Sequence, residues 1–72
     1  MYIVMYEGPP LVSSRHYRLR LLCQKCNILK KRVRVFIVND EDALKSLVDF
    51  FEKEGLVDKI EIYEVKRVSR GG

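Results

Sequence analysis

From Tyr2 to Tyr6 apolar side chains fall on both parities of a strand's two-residue repeat, with Tyr2, Val4 and Tyr6 on one face and Ile3 and Met5 on the other. A run of aromatic and β-branched types halted by Gly8-Pro9-Pro10 predicts a strand, and apolar character on both faces predicts a central one. From Arg15 to Gln24 the pattern turns into alternation: Tyr17, Leu19, Leu21 and Cys23 are apolar, His16, Arg18 and Arg20 polar. It resumes with Val33, Val35 and Ile37 set against Lys30, Arg32 and Arg34. Period-two alternation marks half-buried strands. The two stretches therefore predict a β-hairpin closed at Lys25-Cys26-Asn27, with Asn27 in the left-handed conformation of a three-residue turn. Arg20 would pair with Arg32 and Arg18 with Arg34, so the basic side chains would share one face and Leu19, Val35 and their neighbours the other.

The repeat then lengthens. Leu44, Leu47, Val48 and Phe51 recur at i, i+3, i+4 and i+7, with Phe50 at the edge of the stripe, which predicts a packing helix. Asn39 or Asp40 can cap it, Asp40, Glu41 and Asp42 place negative charge at its N-terminal end, and Gly55 can terminate it. Glu41 with Lys45 and Asp49 with Lys53 have the spacing of helical ion pairs. Residues Lys59 to Val68 read as a last strand whose parity slips between Ile62 and Tyr63, predicting a bulge or burial on both faces. Short connections suggest that this strand returns parallel to the second hairpin strand by a right-handed crossover. The expected fold class is α+β, a four-stranded mixed β-sheet in βββαβ order with one α-helix packed on one face. At 72 residues the chain has room for a single domain, residues 1–72, with a flexible basic tail at 69–72.

Charge sharpens this picture. The net charge is +4, but the residues are segregated. Between Gly8 and Val38 stand Arg15, Arg18, Arg20, Lys25, Lys30, Lys31, Arg32 and Arg34 without a single acid. From Asn39 to Glu64 acids outweigh bases, and Lys66, Arg67 and Arg70 make the end basic again. Placing arginines opposite one another on a hairpin costs about 0.2–1 kcal/mol per pair, a cost that a polyanion contact would explain. Ion pairing between hairpin and helix is the structural alternative. Abundant Val, Ile, Lys, Arg and Glu, with one Gln, one Ala and no Trp or Thr, match the bias of hyperthermophile proteins and suggest an archaeal source. The apolar start is too short for a membrane span and lacks a basic leader, so a cytoplasmic protein is expected.

Motifs with chemistry are few. Cys23-Gln24-Lys25-Cys26 resembles half of a zinc ribbon, but no further cysteine follows and His16 is the only imidazole. The expectation is a core cysteine and a turn cysteine, with metal at Cys23 and Cys26 a minor alternative and no cofactor. His16 has no nucleophile or carboxylate near it in the acid-free segment, and prolines deprive the Gly8 loop of the amides that cradle phosphate. No enzymatic activity is expected. Tyr2, Tyr6, Tyr17 and Tyr63 could stack bases beside the arginines or simply belong to the core.

These features suggest a non-catalytic nucleic-acid-binding module that grips structured RNA, ribosomal RNA above all, within a ribonucleoprotein. His16, Arg18, Arg20, Lys30, Arg32 and Arg34 would contact phosphates, with Lys25, Lys66, Arg67 and Arg70 as secondary contacts. The segment from Val33 to Val65, a basic strand, an Asn-Asp-Glu-Asp-Ala-Leu helix start and a charged strand, is similar to the plan of several small archaeal ribosomal proteins. That resemblance covers less than half the chain and contains no diagnostic motif. The alternative is a homodimeric protein-interaction domain, or a small virus- or plasmid-encoded adaptor, using the open face of the sheet.

Overall fold

A computed structural model describes residues 1–32 and 34–65. The element order is β1 (Tyr2–Tyr6), α1 (Ser13–Lys25), β2 (Leu29–Arg32), β3 (Val35–Val38), α2 (Glu41–Lys53), a 3-10 turn (Val57–Lys59) and β4 (Ile60–Glu64). The sheet order is β2-β3-β1-β4, and every neighbouring pair is antiparallel. In β1-α1-β2 and in β3-α2-β4 the two strands run the same way, and each pair is split by a strand of the other unit. This is the split βαβ, ferredoxin-like arrangement.

The fold is α+β with four strands, but the βββαβ order, the mixed sheet and the single helix are corrected. Residues 15–25 are helical, and the hairpin joins β2 to β3, two halves of the stretch expected as one strand. β4 does not pair with β3, because β1 lies between them. Sequence alternation misled here because Leu19, Leu22, Cys23 and Cys26 also satisfy a helical stripe. Leu19 and Cys23 are buried on it, whereas Tyr17 and Leu21, of the same strand parity, face solvent. The start of α1 carries no advertisement: Val12 occupies the N-cap without a side-chain bond, and the first turn has no acid.

Both helices end on the same device. Asn27, with φ of 56°, follows the α1 C-cap, and the Ile28 amide donates to Cys23 O at 2.9 Å. Gly55, with φ of 72°, follows the α2 C-cap; its amide reaches Glu52 O and that of Leu56 reaches Phe51 O. The α2 closure is a full Schellman motif and α1 shares its outer bond, with Ile28 and Leu56 buried beyond the caps. The left-handed Asn27 was legible, but it ends a helix rather than turning a hairpin. Asp40 caps α2 as expected, accepting the Ala43 amide at 2.7 Å.

Val4, Tyr6, Phe36 and Val38 line the helix-covered face of the sheet and join Leu19, Cys23, Ala43, Leu47 and Phe51 in the core. Phe51 stacks on Tyr6 at 5.3 Å and meets Phe36 edge-on at 6.2 Å. The buried stripe of α2 is thus Ala43, Leu47 and Phe51, with Leu44, Val48 and Phe50 half-buried beside it. β3 turns its even positions inward, so Val35 and Ile37, expected in the core, occupy the other face. β4 keeps a continuous register from Ile60 to Glu64 and is largely exposed, without the bulge or two-sided burial expected of it. Among the described residues no helix is long and apolar enough to cross a membrane.

Candidate interaction surfaces

The helical state of residues 13–25 redistributes the basic side chains. Arg15 and Arg18, three residues apart, share the side of α1 that looks toward α2. Their guanidinium groups meet the Glu54 carboxylate at 2.9 and 2.7 Å. Only 10% of the Glu54 side chain is exposed, so this carboxylate sits between two cations at the negative end of α2. Arg34, at the turn between β2 and β3, donates from Nη1 to Gly8 O at 2.6 Å and lies 5.5 Å above the Tyr6 ring. His16 Nε2 and Lys30 Nζ are 2.8 Å apart, tying α1 to β2. Arg20 and Lys25 are exposed on α1, and Lys31 and Arg32 on β2. Lys66, Arg67 and Arg70, with the tail at 69–72, lie outside the described residues.

A single basic hairpin face therefore does not form. Arg20 and Arg32, and Arg18 and Arg34, are not cross-strand pairs, and three of the guanidinium groups are engaged within the chain. Of the six expected phosphate contacts, the structure brings His16 and Lys30 directly together.

The sheet offers a different surface. Directly opposed residues share a face. The register aligns Leu29 with Ile37, Ile37 with Ile3 and Ile3 with Tyr63, an apolar row crossing all four strands on the face away from the helices. The next row runs Arg32, Val35, Met5, Glu61. Met1 and Val65 have the same parity, and the Val65 amide donates to Met1 O at 2.9 Å. Leu29 is 52% and Tyr63 49% exposed, and no described helix covers them. The Tyr63 hydroxyl donates to Glu61, which holds the phenol pKa above its ordinary value. Sequence reasoning expected an open face of the sheet but assigned it the even, basic positions, whereas the apolar odd positions of β1 and β3 form it.

The other tyrosines divide. Tyr6 is core, Tyr17 is exposed on α1, and Tyr2 is half-buried with its hydroxyl on Glu41 at 3.3 Å. Cys23 and Cys26 are free thiols. Burial pushes the Cys23 thiol up, against the opposing effect of Lys30. Among the described residues no three His, Cys, Asp or Glu side chains cluster in a way that could hold a metal. Compared with known proteins, the chain matches no family model, and no curated protein and no solved structure matches it.

Proposed function

We propose that the chain is a non-catalytic interaction domain that pairs with a second copy of itself through the helix-free face of the sheet. The observation that carries this reading is the apolar row Leu29, Ile37, Ile3, Tyr63, flanked by a row with Arg32 at one end and Glu61 at the other. A two-fold axis between two such faces, parallel to the strands, exchanges left and right without moving residues along the strand. It lays β2 of one copy over β4 of the other, so each Arg32 meets a Glu61 while the apolar rows stack on themselves. Self-complementarity of this kind is what an isologous dimer requires. Like charges along each edge, Lys30, Lys31 and Arg32 on β2 and Glu61 and Glu64 on β4, discourage two copies from pairing β2 with β2 or β4 with β4.

Analytical ultracentrifugation tests it. The native chain should sediment as a dimer that persists in high salt, since apolar burial is not screened. Ile37→Lys should be a folded monomer by circular dichroism. Arg32→Glu should weaken the dimer, and Arg32→Glu with Glu61→Arg should restore it. A native chain that sediments as a monomer at high micromolar concentration overturns the proposal.

A second reading keeps structured RNA as a partner, now through α1 and β2. Its support is the closeness of His16 and Lys30, with Arg20, Lys25, Lys31 and Arg32 exposed on the same two elements. Phosphate contacts release counterions, lowering log affinity by roughly 0.7 per contact per decade of salt on single strands. Salt-independent or undetectable RNA binding, or binding unaffected by Arg20→Glu with Lys30→Glu, rejects it.

A further inference from the structure

We propose that the crevice enclosed by the β1–α1 connection, α1 and β3 is a binding site for a small carboxylate with an apolar body, an aromatic or short aliphatic acid. Its cavity volume is about 200 Å³. The inner walls are the buried side chains of Tyr6, Leu19 and Phe36, and Pro10 and Leu11 of the connection close one side. A dry apolar cavity of roughly 150 Å³ accommodates benzene, so this space holds one ring with a carboxylate attached.

The opening is built to persist. The Tyr6 hydroxyl donates to Pro9 O, Arg34 Nη1 holds Gly8 O at 2.6 Å, and the guanidinium lies over the Tyr6 ring. These ties, with two consecutive prolines, hold the connection in place and keep it from folding into the space. A ligand therefore meets a preformed pocket and has little ordering to impose.

The charge of the lining selects the ligand. Its one fixed cation is Arg34, and the Lys30 ammonium stands 2.8 Å from Nε2 of the lining His16, which accepts from it; none of the lining residues is a carboxylate. Both carbonyl bonds of Arg34 leave from Nη1, and among the described hydrogen bonds its other nitrogens take no part. A guanidinium edge offers a carboxylate two parallel donors. An apolar ring against Tyr6, Leu19 and Phe36 with its carboxylate toward Arg34 and His16 satisfies both halves of the site.

The test uses benzoate as probe, with benzyl alcohol and benzylamine as matched controls, followed by amide and side-chain NMR shifts on the intact chain. Benzoate should shift resonances of residues 6–11, 16–19 and 34–36. Benzyl alcohol should bind at least about tenfold more weakly, the loss expected for one charge-assisted hydrogen bond, and benzylamine more weakly still. Leu11→Trp, which fills the space from a half-exposed connection residue, should abolish the shifts, and Lys30→Gln should reduce affinity while leaving the fold intact. No localised shift with benzoate, equal binding of the alcohol or the amine, or unchanged binding in a folded Leu11→Trp chain each overturns the proposal. The crevice lies on the helix-covered side, so its failure and that of the dimer are distinguishable.

Discussion

Truncating Leu19 and Leu21 separately to alanine separates the helical state of residues 13–25 from the strand that their alternation suggests. On a strand the two side chains would point the same way and cost about the same to remove. On α1 they lie two residues, about 200°, apart, and Leu19 is 1% exposed where Leu21 is 45% exposed. Removing a buried leucine costs about 2–5 kcal/mol from lost transfer energy and the void left behind. Leu19 already borders the crevice, so its truncation forfeits packing on one side only, and the loss should fall near the lower bound, about 2–3 kcal/mol. Leu21→Ala gives up partial burial but gains helix propensity, leaving about 0.5 kcal/mol or less. A chain of this length holds roughly 4–11 kcal/mol in all, so the first variant is a large perturbation. Urea unfolding followed by circular dichroism, at one fixed protein concentration because association shifts apparent stability, reads both. With a slope near 1 kcal/mol per molar, Leu19→Ala should lower the midpoint by about 2–3 M and Leu21→Ala by about 0.5 M, at unchanged slope. Equal shifts, or a larger one for Leu21, would refute the helical assignment.

Glu54→Gln should cost about 1 kcal/mol in the same assay, since both arginines it engages are substantially exposed and can rehydrate. Arg15→Gln should then add almost nothing in that background, and additive losses would show that the contacts are not coupled. Gly8→Ala should destabilise by about 1–3 kcal/mol, because a Cβ there collides with the buried Tyr6 ring; an unchanged melting temperature would mean that the ring has room to move. Iodoacetamide should modify Cys26 well before Cys23 in the native protein, as peptide mass spectrometry would record. The Cys23 thiol keeps its proton to higher pH folded than unfolded, so its contribution to stability is intact below the ordinary thiol value of 9.0 and declines above it. Cys23→Ala should flatten that alkaline decline in the melting temperature.

Local signals were legible where they were redundant. α2 has a capping aspartate, acids in its first turn, an i, i+3, i+4 stripe and a terminal glycine, and each independently specifies the same helix. β1 has β-propensity, a Gly-Pro-Pro stop and two apolar faces, which together place it at the centre of the sheet. In α1 the signals conflict. Its alternation fits a strand, while its leucines, arginines and glutamine are good helix formers, and its unadorned N-cap announces neither. The charge pattern inherited that conflict, because the sides on which Arg15, Arg18 and Arg20 emerge depend on the period assumed.

Taken alone, the residue order determined an α+β chain, the extent of β1, the capped and terminated α2, the left-handed conformation of Asn27 and the split between a basic and an acidic stretch. All of these rest on interactions within a few residues of one another. Only the tertiary structure decided that residues 13–25 coil into a helix, that β2 and β3 are separate strands, and that β1 inserts between β3 and β4. Those choices depend on which arrangement buries Leu19, Cys23, Phe36 and Phe51 together, a comparison among contacts distant in sequence. The same choice turned Ile3, Val35 and Ile37 away from the helices. A period of two states that a strand has two faces, and only the packed helices say which of them is left open.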